Sequence, residues 1–174
     1  MNNNKYHLKY AMASILGAAI FAATPALAQV SPATGQVAAT ANVTANCAVS
    51  ATPLQFGDTD VTDGLDHTGT TTLSVKCTSG TIWTAKADQG LGLGASPALR
   101  KMTFNGNTLN YKVFSSNSQT SALWGDAADS GTTTITGTGT GVAVPSILDA
   151  VIPGGQNNLP KGLYQDTIAV TVSY

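Results

Sequence analysis

The sequence contains no glutamate and few charged residues of any kind. Of its 174 residues, eight are Lys or Arg and nine are acidic, and all nine of those are Asp. The basic residues form no cluster, which argues against nucleic acid or an anionic lipid surface as a partner. A Thr-rich chain that lacks Glu and has little Lys favours strands over helices.

Side chains that could carry out catalysis or hold a ligand are also scarce. Beyond residue 28 the one histidine is His67, within the acidic, loop-like stretch 57–70, where a solvated role is expected. The glycine-rich run 90–94 precedes no predicted helix and is therefore not expected to cradle a phosphate. Trp83 is expected in the core, whereas a sugar-stacking role for Trp124 stays open. Four aspartates of the acidic stretch lack the ligand order of an EF-hand and its closing Glu: Asp58, Asp60, Asp63 and Asp66. We expect no enzyme activity, no cofactor and no metal site.

The first 28 residues have the pattern of a secretory signal peptide. Lys5 and Lys9 give a positive start, residues 11–23 are apolar and uncharged, and Ala26-Leu27-Ala28 forms a small-residue cleavage site. A transmembrane helix is the alternative, but the apolar run is too short for one. Cleavage would leave 146 of the 174 residues, with six basic and nine acidic side chains and a net charge of −3. That length fits one domain.

Cys47 and Cys77 are the only cysteines, and both follow the predicted cleavage site. An even pair in an exported chain predicts one disulfide, which would contribute about 3–4 kcal/mol by chain entropy. Two free buried thiols are the alternative. A metal site is disfavoured because two cysteines without nearby histidines cannot complete a tetrahedral shell.

The segment 29–45 alternates between apolar and mostly polar positions. Valine and alanine recur at every second residue from Val37 to Ala45. A period of two predicts a half-buried strand.

The remainder is predicted to form short strands separated by turns. Asn105-Gly106 between two β-rich runs predicts a hairpin, and no segment has a convincing helical period. About seven short strands indicate an all-β sandwich. The predicted strands of the body are 48–56, 71–77, 82–87, 100–104, 109–114, 132–136, 142–152 and 162–174.

The last predicted strand is strongly apolar on one face and reaches the final residue. A sandwich usually has a closing strand beside its last core strand, and here no residues remain to supply it. The apolar groove left open would be an aggregation site. The N-terminal strand could fill it, either in cis or from another molecule by β-augmentation.

Four motifs follow one another along the chain. TGQV (34–37) precedes Cys47, LQFG (54–57) follows it, LSVKC (73–77) closes on Cys77, and GLYQDTIAVTVSY (162–174) ends the sequence. With these motifs the chain resembles the spore coat U domain family, which includes the archaic chaperone–usher pilins.

The resemblance implies an incomplete immunoglobulin-like sandwich with Greek-key topology. Six strands of a body (46–174) would be completed by an N-terminal donor-strand arm (29–45), and a disulfide between Cys47 and Cys77 would staple the first two strands. The implied donor plugs are Val37, Ala39, Ala41 and Val43. The implied acceptor-groove and chaperone-binding residues are Tyr164, Ile168, Val170, Val172 and Tyr174. Donor arms of this family commonly carry residues bulkier than alanine at the plug positions.

The resemblance also implies the partners. A periplasmic chaperone would lend a strand first, and an outer-membrane usher would exchange it for the arm of the next copy of the chain. The product would be a fibre at the cell surface used for attachment and biofilm formation. Two alternatives stay open: a tip adhesin, for which 146 residues leave no receptor domain, and a secreted, self-complemented β-sandwich acting as a binding or coat protein.

Overall fold

The computed structural model describes residues 33–174, so the predicted signal peptide 1–28 lies outside the described residues. The chain divides into two compact units between Thr40 and Ala41. In the first unit, residues 33–40 belong to no strand and are exposed. The second unit contains every strand of the described chain. No helix that could cross a membrane occurs between residues 33 and 174.

The described chain forms ten β-strands and no helix, which confirms the all-β fold class. The strands alternate between buried and exposed side chains where they face the core, as period-two patterning requires. In chain order they are β1 (Cys47–Ala51), β2 (His67–Cys77), β3 (Ile82–Ala87), β4 (Arg100–Phe104), β5 (Asn107–Val113), β6 (Leu123–Trp124), β7 (Thr132–Thr133), β8 (Ile135–Thr138), β9 (Val144–Ile152) and β10 (Val170–Ser173).

The strands form two main sheets around one core. The larger sheet has the order β1-β2-β9-β5-β4 and the smaller has the order β10-β3-β8. A short parallel pair, β6 with β7, stands apart. The core residues come from both main sheets and from β6: Leu73, Val75, Cys77, Trp83, Ala85, Ala87, Leu109, Tyr111, Val113, Trp124, Leu148, Ala150 and Ile152.

The hairpin predicted at Asn105-Gly106 is confirmed between β4 and β5. Both turn residues have positive φ, 45° at Asn105 and 80° at Gly106. Positive φ at both central positions is the geometry of a type I′ turn, whose twist matches that of the flanking strands.

The C-terminal strand is shorter than the predicted 162–174. Only Val170–Ser173 pairs as a strand, with β3. The segment before it crosses to the larger sheet instead, where Gln165 and Thr103 exchange two backbone hydrogen bonds of 2.8 and 3.2 Å. The alternation of apolar residues in this segment therefore reflects which side chains are buried. Only the end of the segment is paired as a strand.

Strands β1 and β10 run in opposite directions. β1 is antiparallel to β2, and β10 is antiparallel to β3. The connection from β2 to β3 takes only residues 78–81 and contains a turn hydrogen bond from the Thr81 N–H to the Thr78 carbonyl. Such a short connection reverses the chain, so β3 opposes β2 and β10 opposes β1.

Candidate functional site: an open apolar groove

An open groove with a cavity volume of about 1060 Å³ lies in the second unit. One wall is the segment 51–62, which follows β1, and we call it the N-terminal wall. The other is the segment 159–170, which leads into β10, and we call it the C-terminal wall. The floor is the interior face of the larger sheet with Trp124. Apolar side chains line most of it: Leu54, Phe56, Val61, Met102, Leu109, Tyr111, Val113, Trp124, Ile152, Leu159, Tyr164, Ile168 and Val170.

The groove lies between two sheet edges. β1 is the terminal strand of the larger sheet and β10 is the terminal strand of the smaller one. Each pairs on one side only within residues 33–174. In the C-terminal wall the backbone N–H and C=O of Ile168 also have no hydrogen-bond partner in the described chain. Polar backbone edges beside an apolar floor can accept an added strand.

The structure distributes the five predicted acceptor residues along this region. Tyr164, Ile168 and Val170 line the groove. Val172 is half-buried and packs against the core without lining the cavity. Tyr174 lies at the chain end and is 59% exposed.

Beyond the cavity, the inward face of β1 is also uncovered. Cys47 and Val49 lie on the same face because side chains two residues apart in a strand point the same way. Val49 is opposite the buried Val75 in the β1–β2 register, yet it remains 41% exposed. An apolar side chain that faces the core but remains exposed to solvent indicates that no strand packs over this edge within the described chain.

All four predicted donor plugs are exposed in this single chain. In the first unit Val37 is 95% exposed and Ala39 is exposed as well. In the second unit Ala41 is exposed and Val43 is 80% exposed. Residues 33–46 form no strand, and within the second unit neither Ala41 nor Val43 lines the groove.

The second unit anchors the residues that precede β1. The Thr78 hydroxyl accepts a hydrogen bond from the Asn46 N–H at 3.1 Å and lies 3.2 Å from the Thr44 carbonyl. The Thr78 N–H donates to the Asn46 carbonyl at 2.9 Å. These contacts continue the β1–β2 pairing one residue beyond Cys47.

The predicted disulfide joins Cys47 to Cys77. The two cysteines are directly opposite in the β1–β2 register. The bond therefore fastens the edge strand β1 to the interior of the sheet.

The C-terminal motif G-x-Y-x-D-T shapes the C-terminal wall. A Cβ at Gly162 would lie 2.2 Å from the Phe104 ring, so only glycine allows this approach. The Tyr164 ring packs against Phe104 with centroids 5.6 Å apart, and its hydroxyl donates to the Pro160 carbonyl at 3.0 Å. The motif thus packs the C-terminal wall against the hairpin of β4 and β5.

Asp166 joins three parts of the protein. One carboxylate oxygen accepts hydrogen bonds from the N–H groups of Leu91 and Thr167, at 2.7 and 2.8 Å. The other accepts from the Tyr111 hydroxyl at 2.7 Å. Burial and this bond to a carboxylate raise the pKa of Tyr111 well above its usual value. Sequence reasoning placed Asp166 in a motif but gave it no role.

Arg100 is fully buried and has no carboxylate partner at hydrogen-bond distance among residues 33–174. Its guanidinium donates to the carbonyls of Asp88, Pro97 and Trp124, at 2.7 to 3.0 Å. Desolvation lowers the pKa of Arg100. The guanidinium organises the loop between β3 and β4, whose Asp88 carboxylate accepts from the Ala169 N–H at 2.9 Å. A buried arginine gives no periodic signal in the sequence, so it was missed.

The glycine-rich run 90–94 has a packing role that its sequence did not disclose. A Cβ at Gly90 would lie 2.2 Å from the Asp166 carboxylate, and one at Gly92 would lie 2.2 Å from the Lys101 carbonyl. The loop can approach the C-terminal wall and β4 only because these positions lack side chains.

Three of the four aspartates of the acidic stretch, and His67, have partners within the protein. Asp60 accepts from Thr62, Asp63 from the Leu65 N–H, and Asp66 from the Gly154 N–H. The hydrogen bonds from Thr62 lower the pKa of Asp60. His67 lies 3.3 Å from the Asp63 carboxylate. Within residues 33–174 no group of three or more His, Cys, Asp or Glu could hold a metal.

Both tryptophans are buried in the core. Trp83 matches the expectation for a strand residue. Trp124 is also buried, and its indole N–H donates to the Ala85 carbonyl at 3.2 Å. It contributes to the groove floor rather than offering a face to a sugar.

A model of the Spore Coat Protein U domain matches residues 33–171. The chain belongs to this family. The match includes the arm residues from 33 onward, both cysteines and both walls of the groove. A coat-protein domain is a structural module, so the spore coat U domain described here is not an enzyme.

One solved structure similar to this spore coat U domain is the crystal structure of the CsuC–CsuE chaperone–tip adhesion subunit pre-assembly complex from archaic chaperone–usher Csu pili of Acinetobacter baumannii. The TM-score is 0.54 and the identity is 18%, over 76% of this chain and 40% of that chain. The likeness is one of fold, and the chain spans less than half the length of the protein it matches. No curated protein matches the sequence.

Proposed function

We propose that this protein is a structural subunit of an archaic chaperone–usher pilus and that it polymerises by donor-strand exchange. Residues 29–45 of one copy act as the donor arm, and the body 46–174 of another copy receives it. The signal peptide 1–28 directs export and is removed in the process, and the fibre serves surface attachment and biofilm formation.

The observation that carries this proposal is the open groove between the edge strands β1 and β10. A soluble protein rarely leaves a large apolar cleft beside unpaired strand edges, because both promote aggregation. An added strand removes both the open cleft and the unpaired edge, because its backbone pairs with the edge and its alternate side chains enter the cleft. A self-complemented sandwich would have this site filled.

The arm has the pattern that such a groove accepts. From Val37 to Val43 it spans about 20 Å as a strand, at about 3.3 Å per residue. Its alternate side chains are apolar, so one face can enter the groove while the other remains in water. The small Ala39 and Ala41 bury less apolar area than larger plugs would, so either the pockets that face them are shallow or the register of the plugs differs.

Strand direction favours donation in trans. The arm leads directly into β1, so folding back into its own groove would make it antiparallel to β1 and hence parallel to β10. It would also have to release the contacts between Thr78 and residues 44–46. An arm from another copy can lie antiparallel to β10, and antiparallel pairing is slightly the more stable.

The remaining partners follow from the same groove. Before assembly an exposed apolar cleft needs cover, and a periplasmic chaperone that lends a strand supplies it. The solved complex with a similar fold joins a chaperone to a pilus subunit. An outer-membrane usher then brings the next arm into the groove.

Assembly on unheated gels tests the proposal. The full chain, expressed with its chaperone, is expected to give a ladder of heat-sensitive oligomers. Deletion of residues 29–45 should abolish the ladder and leave chaperone binding intact. A full chain that remains a lone monomer and gives no ladder in the presence of the chaperone, or a ladder from the truncated chain, would contradict donor-strand exchange.

A further inference from the structure

Each wall of the groove is fastened to a different strand of the larger sheet, and the two strands lie toward opposite edges of that sheet. The N-terminal wall is held by Thr52, whose N–H donates to the Thr72 carbonyl, and by a bridge between Gln55 and Thr70. The C-terminal wall is held by the bridge between Gln165 and Thr103. No hydrogen bond in the described part of the chain joins one wall to the other.

Tyr111 contacts both walls from the floor. Its ring meets the edge of Phe56 of the N-terminal wall, with centroids 6.1 Å apart and planes at 72°. Its hydroxyl donates to Asp166 of the C-terminal wall at 2.7 Å. Tyr111 is itself fixed, because it is buried in β5 opposite Arg100.

Asp166 also contacts the loop between β3 and β4. Its second carboxylate oxygen accepts from the Leu91 N–H. A Cβ at Gly90 would collide with the same carboxylate, so the loop backbone is pressed against it. Asp166 therefore links the C-terminal wall to the floor as well as to the loop, whereas the two hydrogen bonds between Asp88 and Ala169 link the wall to the loop alone.

An empty groove of this size needs such a support. Apolar walls that face each other across a cleft gain free energy by closing on each other, because closure removes apolar surface from water. A polar bond of fixed length between floor and wall resists that movement, and a bond to a charged acceptor is among the stronger ones.

We propose that Tyr111 and Asp166 are positioning residues that hold the empty groove open for an incoming strand. The inference deepens the proposed function by naming what sets the rate at which the groove accepts a donor. We call the hydrogen bond between Tyr111 and Asp166 the strut. Loss of the strut should slow strand entry much more than it speeds strand release, because the inserted strand itself keeps the walls of the filled groove apart.

The first experiment measures strand entry. The full mature chain carries Val37→Asp and Val43→Asp, so that its own arm does not donate. A fluorescent peptide of residues 33–46 is the probe, followed by anisotropy. Tyr111→Phe keeps the ring and its contact with Phe56 but removes the hydroxyl, and it should lower the association rate constant about tenfold, the scale of one hydrogen bond to a charged group. An association rate constant equal to that of the parent overturns the proposal.

A stability-matched control separates positioning from general weakening. Leu148 is fully buried in β9 but does not line the groove. Leu148→Val should lower the unfolding midpoint without slowing peptide association. If both variants slow association in proportion to their loss of stability, the strut has no specific role.

A second measurement needs no donor. Spin labels at Asp58→Cys and Lys161→Cys report the distance between the walls, since both positions are exposed and the native cysteines are paired. Tyr111→Phe should shift that distance distribution to shorter values in the empty groove. An unchanged distribution overturns the strut proposal. Failure of the parent chain to bind the peptide at all would instead contradict the proposed function.

Discussion

Gly137 of β8 lies directly opposite Trp83 of β3, and a Cβ at Gly137 would come within 2.4 Å of the indole ring. Trp83 is buried in the core. The Trp83 ring therefore occupies the space that a side chain at position 137 would need. A glycine in what the sequence shows as a low-complexity run is a packing requirement of the smaller sheet.

Gly137→Ala should destabilise the fold, because the buried indole cannot move away without disturbing the core. Overpacking of this kind costs about 1–3 kcal/mol. Chemical denaturation of the folded subunit measures it. Thr138→Ala, on the exposed side of the same strand, is the matched control and should change the free energy of unfolding by less than about 0.5 kcal/mol.

Reduction of the disulfide between Cys47 and Cys77 should weaken the edge strand β1. The bond closes a loop with a sequence separation of 30, for which chain entropy gives about 3–4 kcal/mol. Thermal unfolding with and without reductant checks this. The double variant Cys47→Ser/Cys77→Ser should unfold early in both conditions, and a reductant-sensitive double variant would contradict the assignment.

Arg100→Met should lower the free energy of unfolding more than the loss of a charged side chain at the surface does. It removes the donors for three carbonyls, those of Asp88, Pro97 and Trp124. Leaving buried acceptors unpaired costs about 3 kcal/mol in all. Lys101→Met, whose one long hydrogen bond goes to the Leu93 carbonyl at 3.4 Å, is the control. Equal unfolding midpoints for the two variants would contradict this role of Arg100.

Stability should fall in alkali partly because of Tyr111. Its pKa is raised in the folded state, so the folded protein keeps the phenol proton while the unfolded chain loses it above about pH 10, the ordinary pKa of a tyrosine. This contribution is fully present below pH 10 and is lost as pH rises further. One pH unit above that value the loss of unfolding free energy amounts to about 1.4 kcal/mol. Comparing the slopes of unfolding free energy between pH 9 and 11, Tyr111→Phe should decline less steeply than the parent.

Turn signals made several strands predictable. β3 and β4 have the predicted bounds because Ser79-Gly80 precedes β3 and Asn105-Gly106 follows β4. Glycine at positive φ, as at Gly80 and Gly106, is a local requirement that the sequence displays openly. Local chemistry of this kind is what single-sequence reasoning reads best.

Contacts between distant segments could not be predicted in the same way. β2 begins at His67 rather than residue 71, because its first residues pair with the end of β9. The bond between Tyr111 and Asp166 joins residues 55 apart in the sequence. Neither partner has a local pattern that points to the other, so the mechanism that holds the groove was visible only in three dimensions.

Donor-strand exchange requires that the arm of one molecule fill the groove of another, and mixed-chain cross-linking measures directly which molecule's arm fills it. One chain carries a cysteine in the arm, at Ala39, Ala41 or Val43 in turn, and a second chain carries Ile168→Cys or Val170→Cys in the groove. After co-assembly and oxidation, a cross-linked dimer of the two chains is expected for at least one pairing, with none when either chain is assembled alone with its single added cysteine. A chain that bears both cysteines and yields only an internally cross-linked monomer would contradict donation between copies.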